Sequence, residues 1–261
     1  MLAHDIADKP FLKLINKWLK TGIMKEENII EKSLKGTPQG GVISPILANI
    51  YLYYVLDIWF EKVVKSHVKG ESMMISYADD FVCAFRYKRD AEKFMVALEK
   101  RFNKFGLELA KEKTKLIKFS RFSKDRNGEF DFLGFTFRWR ISSKGKDIIT
   151  HTTSKNKFKS SVQKIKKWIK ENRNNRLRSL IDLLNIKLKG YYNYYGVIGN
   201  YKMLEKMNLI VKRLLYKWMN RRSQRRSFNW KEFSKKLKER YPIQRPFTES
   251  LDKQMVINIY A

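Results

Sequence analysis

Apolar positions recur at three- and four-residue steps over the longer stretches of this chain and alternate over the shorter ones, which predicts helices punctuated by hairpins. Phe11, Leu12, Leu14, Ile15, Trp18 and Leu19 form an amphipathic helix that Asp8-Lys9-Pro10 opens and that ends near Gly22. Gly36-Thr37-Pro38-Gln39-Gly40-Gly41-Val42-Ile43-Ser44-Pro45 reads as a tight loop with exposed backbone amides. Ser44 suits an N-cap and Pro45 the first helical position, predicting a helix over about 46–65. The longest apolar stretch, 42–60, contains Ser44, Pro45, Asn49 and Asp57, so it predicts a buried helix rather than a membrane span.

Two short apolar runs, 73–76 and 81–85, flank Tyr77-Ala78-Asp79-Asp80 and predict a β-hairpin with two adjacent carboxylates at its bend. Asp90 offers an N-cap, and Phe94, Leu98, Phe102 and Phe105 mark a helix that Gly106 closes. Residues 114–119 alternate as a strand, with Lys113, Lys115 and Lys118 on or beside it. Aromatics then fall at 130 and 132, but at 135, 137 and 139. That switch of parity across Leu133-Gly134 requires a bulge or a tight turn.

After Ile148 the pattern is helical and basic. Phe158, Val162, Ile165, Trp168 and Ile169 make one apolar stripe, set against Lys157, Lys159, Lys164, Lys166, Lys167 and Lys170. Further helices are predicted over 177–188, 204–218 and from Trp230 to Leu237. Between them lie the tyrosine-rich Lys189-Gly190-Tyr191-Tyr192-Asn193-Tyr194-Tyr195-Gly196 and the arginines Arg221, Arg222, Arg225 and Arg226.

Charge sharpens this division. The formal net charge is +30, and the 124 residues after Phe137 hold 32 Lys and Arg against 8 Asp and Glu, or +24 of it. Such a field calls for a polyanionic partner, nucleic acid before an anionic membrane surface. The single cysteine, Cys83, sits in an apolar strand pattern, and one cysteine excludes an internal disulfide framework and a Cys-pair zinc site and points to a reducing, intracellular setting, cytoplasmic with an organelle as the alternative.

Asp79 and Asp80 carry the candidate chemistry. Adjacent carboxylates resist joint ionisation unless a cation lies between them, and a divalent metal is the usual answer; an ordinary Asp-rich turn is the alternative. The tyrosines at 191, 192, 194 and 195 either pack helices together or stack on unpaired bases. The four arginines next to Trp218 have only Glu232 and Glu239 near in sequence, so they favour phosphate contacts over a salt-bridged face.

The Pro-Gln-Gly-Gly loop, the Tyr-Ala-Asp-Asp hairpin, Gly-Leu-x-Leu-x-x-x-Lys-Thr-Lys at 106–115 and Phe-Leu-Gly-Phe at 132–135 resemble, in this order, successive motifs of a reverse transcriptase palm. Residues 36–45 and 189–196 are similar in particular to group II intron encoded reverse transcriptases and maturases. The resemblance implies an α+β fold, with a partial right-hand polymerase palm over 1–148 followed by an all-α basic thumb and maturase domain over 149–261. It implies RNA-directed DNA polymerase chemistry, with intron RNA, an RNA template and a DNA primer as partners, and a role in intron splicing and mobility. Asp79 and Asp80 would hold two Mg²⁺ ions. Pro38, Gln39, Gly40, Gly41, Tyr77, Ala78, Lys113, Leu133 and Gly134 would meet template and primer, with Leu133-Gly134 as the primer grip. Arg221, Arg222, Arg225, Arg226, Lys166 and Lys167 would bind RNA.

One departure stands out. The family's third metal-binding carboxylate sits on an earlier palm strand, and here the acids before the Pro-Gln-Gly loop, Asp5, Asp8, Glu26, Glu27 and Glu31, lie in no strand-like run. The expectation is therefore a C-terminal portion of a longer protein or a degenerate copy, poor at polymerisation alone, taking dNTP only if fingers are supplied. A non-catalytic RNA-binding maturase is the alternative.

Overall fold

The computed structural model describes residues 1–20, 23–24, 30–31, 42–122, 128–222 and 228–248, with the side chains of 23–24 and 30–31 left aside. They fall into two compact units, Met1–Lys118 and Phe119–Ala261.

The first unit opens with a short turn of helix, α1 (Leu2–Asp5), and the amphipathic helix α2 (Lys9–Lys20), whose start is marked by the Asp8 carboxylate accepting from the Phe11 amide at 3.0 Å. The strands β1 (Ile23–Met24) and β2 (Ile30–Glu31) pair antiparallel. Helix α3 (Ser44–Leu52) begins with Ile43, not Ser44, in the N-cap place, because Pro45 fits the first helical turn equally well at its second position. It runs on through two π-helical turns, Tyr53–Asp57 and Phe60–Val64, into α4 (Lys65–His67). Val55 and Phe60 lie too far round a regular α-helix to share a face, and the wider turns bring both over the core.

The strands β3 (Ser72–Tyr77) and β4 (Asp80–Phe85) form the predicted hairpin, in register Tyr77 to Asp80. Met74, Phe81, Cys83 and Phe85 pack from it onto Val55, Leu56, Phe60 and Val64, and onto Phe94, Leu98 and Phe102 of α5 (Lys88–Lys104). The apolar period of α5 is the one read from its sequence, and Gly106 follows its end at φ +67°. Its start differs. The helix begins at Lys88, and Asp90 is buried inside the first turn, its carboxylate accepting from the Lys69 and Gly70 amides at 3.0 and 3.4 Å. Residues 114–119 form no strand, since no described strand offers them a ladder partner.

The second unit begins with the antiparallel sheet β5 (Glu129–Phe132), β6 (Phe135–Ile141) and β7 (Asp147–Thr153). Leu133 and Gly134 make the two-residue turn between β5 and β6, both at positive φ, +48° and +80°, as a type I′ turn requires. The turn explains the parity switch. Phe132 faces Phe135 and Phe130 faces Phe137 across the ladder, so aromatics of opposite parity share one face, and Phe119 closes against Phe130 and Trp139.

Among the described residues four helices follow: α6 (Lys155–Asn172), α7 (Leu177–Tyr195), α8 (Tyr201–Met219) and α9 (Trp230–Glu239). Ser154 caps α6 by accepting from Lys157, and Asn229 with Glu232 forms a capping box at α9. Helix α7 runs seven residues beyond the predicted 188, straight through the tyrosines. The core joins Ile165 and Ile169 to Leu180, Leu184, Leu188, Leu204, Met207, Val211, Leu215 and Phe233, with the sheet contributing Phe135 at its margin. The three-stranded sheet thus belongs to the same compact unit as the helices, so the unit starts thirty residues before the expected change of domain at 148. No described helix is long and apolar enough to cross a membrane.

Candidate functional site

In the first unit the hairpin bend gathers four of the predicted site residues. Tyr77 and Asp80 are cross-strand partners on the face turned away from the core, Ala78 and Asp79 make the turn, and all four are exposed. Ala78 sits at φ +52°, a region that costs a non-glycine residue about 1–2 kcal/mol. Such strain is held because the ladder on either side is complete and its inner face is packed. Met73, Ile75 and Tyr77 are 61%, 56% and 66% exposed, so beside Asp80 the hairpin presents a flat apolar surface.

The chemistry of this bend is that of hard oxygen donors. Two carboxylates on a short turn fit part of a Mg²⁺ ligand set. Among the described residues no three of Asp, Glu, His or Cys come together as a metal cluster, so the fit is to part of a site. Cys83 on the inner face is no ligand candidate, since burial pushes its thiol up to about 12. Lys113 is exposed in a turn, its amide donating to the Ala110 carbonyl at 2.9 Å, rather than on or beside a strand. Pro38, Gln39, Gly40 and Gly41 lie outside the described residues.

In the second unit Leu133 and Gly134 form the β5–β6 turn, which rests on α7. The Tyr194 hydroxyl donates to the Leu133 carbonyl at 2.9 Å, and the Ser154 amide donates to the Gly134 carbonyl at 2.9 Å. The tyrosine cluster divides by burial. Tyr192 is wholly inside, where its hydroxyl accepts from Asn208 at 3.1 Å; Tyr195 is buried, Tyr191 half-buried, and Tyr194 is 54% exposed. Burial pushes the hydroxyls of Tyr191, Tyr192 and Tyr195 up. Packing therefore accounts for these three rings, and Tyr194 is the exposed one.

Trp218 is the centre of a cationic collar. Lys170 and Arg173, from the end of α6, and Lys217 and Arg221, from the end of α8, all place their charge 5.6–6.0 Å from its ring centroid. Arg222, next in sequence, donates from one of its guanidinium nitrogens to the Asn175 carbonyl at 2.7 Å. Glu232 is engaged in the α9 capping box. Lys166 and Lys167 are exposed on α6, Lys167 3.9 Å from Glu171, and Arg225 and Arg226 lie outside the described residues. Sequence reasoning found the arginines but missed Lys170, Arg173 and Lys217, because only packing of α6 beside α8 brings those charges to one indole.

Sequence reasoning also missed Asn200. This fully buried side chain accepts from the Thr153 amide at 2.9 Å and donates to the Thr153 hydroxyl and the Tyr195 carbonyl, both at 2.8 Å, tying the end of β7 to the end of α7. An isolated Asn between Gly199 and Tyr201 carries no sequence signal beyond a turn.

Comparison with known proteins agrees with the order of these features. The family model for reverse transcriptase (RNA-dependent DNA polymerase) matches residues 2–137, and that for the group II intron, maturase-specific domain matches residues 158–237. The group II intron-encoded protein LtrA of Lactococcus lactis subsp. cremoris is 24% identical over 280 residues, covering 76% of this chain and 45% of that protein. The putative COX1/OXI3 intron 1 protein of Saccharomyces cerevisiae is 40% identical over 70 residues, 27% of this chain and 8% of that protein. The chain thus spans less than half the length of these curated relatives. With a reverse transcriptase match over its first half and a maturase match after it, the chain belongs to the reverse transcriptase family, as a group II intron-encoded reverse transcriptase/maturase.

Proposed function

We propose that this chain binds group II intron RNA to assist splicing and mobility, and that it carries the metal-binding hairpin of an RNA-directed DNA polymerase. The observation that carries the reading is the exposed pair Asp79 and Asp80 at a hairpin bend strained at Ala78, within the reverse transcriptase match and ahead of a strongly basic maturase match. The palm assignment over 1–148 and the thumb and maturase assignment over 149–261 draw support from those matches, which end at 137 and begin at 158.

Asp79 and Asp80 would hold Mg²⁺. A divalent ion held there would supply charge stabilisation for nucleotide transfer to a primer 3′-hydroxyl. The chain's own residues position substrate. Tyr77 and Ile75 offer an apolar shelf beside the carboxylates, and the small Ala78 lets a strand terminus approach the turn. Pro38, Gln39, Gly40 and Gly41 would run along the template, Lys113 would meet a phosphate, and Leu133-Gly134 would support the primer. The Trp218 collar, with Arg222, Lys166 and Lys167, would neutralise phosphates of RNA, as would Arg225 and Arg226.

We expect this chain alone to polymerise poorly, because Asp79 and Asp80 are two of the three carboxylates that the family resemblance calls for. Primer extension on an RNA template with Mg²⁺ tests this: no incorporation above the Asp79→Ala level is expected, and incorporation that Asp79→Ala abolishes would overturn it. Replacing Arg173 and Arg221 together by alanine should lower the slope of log affinity against log salt by about one to two. An unchanged slope would remove the collar from the RNA interface.

A further inference from the structure

The Leu133–Gly134 turn is held from outside the sheet, by the helix that carries the tyrosine cluster. Both of its carbonyls are engaged, Leu133 by the Tyr194 hydroxyl and Gly134 by the Ser154 amide, each at 2.9 Å. The Tyr194 ring stacks on Phe135, the residue after the turn, with centroids 6.0 Å apart and planes at 17°. Beneath the turn the fit is close: a Cβ on Gly134 would stand 3.1 Å from the Tyr195 hydroxyl and 3.7 Å from the Lys157 side chain. Leucine at positive φ is unfavourable without such support, because its Cβ crowds the following carbonyl. Tyr194 differs from its buried neighbours in being 54% exposed, so core packing does not explain its placement.

We propose that Tyr194 is a positioning residue for the Leu133–Gly134 turn, fixing the backbone that meets an RNA/DNA duplex through a hydroxyl lent by the maturase-matched region. The inference rests on reading that turn as a duplex contact. It makes the two matched regions interdependent: a helix within the maturase match, 158–237, sets the geometry of a turn within the reverse transcriptase match, 2–137. The exposed Lys157 beside the turn supplies a cation where the duplex backbone would pass.

The test uses the full chain and two variants, with hydrogen exchange and the affinity for an RNA/DNA hybrid as readouts. Tyr194→Phe removes the hydroxyl and keeps the ring. It should speed exchange of the amides at 133–135 about threefold or more and weaken hybrid binding to a similar extent, with no loss of global cooperativity. Leu133→Asp tests the underlying reading, since aspartate tolerates positive φ but opposes phosphate; about tenfold weaker binding is expected. If Leu133→Asp leaves hybrid affinity unchanged, the duplex reading of the turn fails, whatever Tyr194→Phe does to exchange. If Leu133→Asp weakens binding while Tyr194→Phe changes neither exchange nor affinity, the positioning role of Tyr194 is overturned. Faster exchange with unchanged affinity overturns its functional half.

Discussion

Replacing Asn200 by alanine removes one buried amide and leaves the Thr153 amide and the Tyr195 carbonyl to find other partners. In the native chain Asn200 makes three hydrogen bonds of 2.8–2.9 Å and is wholly excluded from solvent, as is nearly all of Thr153. The Thr153 hydroxyl can rotate, so its loss counts little. The two backbone groups cannot, and a buried backbone group without a partner costs about 1–3 kcal/mol. Partial rescue by a water entering the vacated space brings the expected destabilisation to about 3 kcal/mol. For a protein of this size that corresponds to about 6–12 °C in melting temperature. Urea denaturation followed by far-ultraviolet circular dichroism measures it, and Thr153→Val, which orphans one Asn200 N–H, should cost less than Asn200→Ala, about 1–2 kcal/mol. Asn200→Asp adds a sign test. The introduced carboxylate would be buried against the Tyr195 carbonyl, which raises its folded pKa, so its cost should grow as pH rises above about 4, the unfolded value, and shrink on acidification. An Asn200→Ala variant within about 0.5 kcal/mol of the native chain would refute the claim that this amide ties sheet to helix.

Three other outcomes follow from the packing. Gly196→Ala should destabilise the chain by about 3 kcal/mol in the same urea assay, because a Cβ there would collide with the Tyr192 carbonyl oxygen and stand 2.8 Å from that of Phe247; a neutral result would show that the two backbones can part. Cys83 should react with a thiol reagent at pH 8 far more slowly than glutathione and recover in urea, its thiol being pushed up to about 12 by burial; glutathione-like reactivity in the folded chain contradicts the packed inner face. Burial holds the His151 imidazole below its usual range, so the unfolded chain binds that proton first as pH falls. Its contribution to stability is therefore present above about pH 6.5 and is lost as pH falls below it, and His151→Gln should flatten the native stability profile between about pH 5 and 7.

Where periodicity repeats, the fold was legible in the sequence. Phe94, Leu98 and Phe102 on α5 and Phe158, Ile165 and Ile169 on α6 face the cores as their spacing demands. The parity switch at Leu133-Gly134 named its own turn. Capping was less legible, because Ser44 and Asp90 are good caps whose places Ile43 and Tyr87 take: a proline tolerates either first-turn position, and the Asp90 carboxylate serves the Lys69 and Gly70 amides instead. An alternating run at 114–119 shows that a strand pattern without a partner strand predicts only backbone extension. The asparagines were invisible. Asn185, Asn200 and Asn208 each bind backbone groups distant in sequence, and long-range polar clamps have no local pattern. For the candidate site, the adjacency of Asp79 and Asp80 left an ordinary Asp-rich turn open and only the order of the surrounding motifs gave the metal reading, whereas the Trp218 collar and the Tyr194 brace depend on helix packing.

Equilibrium binding of the full chain to a folded group II intron RNA, against a shuffled RNA of equal length, tests the proposed intron RNA binding most directly. Binding tighter by about tenfold or more for the intron RNA is expected across a salt series, with both affinities falling steeply as salt rises. Equal affinity for the two RNAs at every salt concentration would contradict it, leaving the +30 charge as a non-specific attraction.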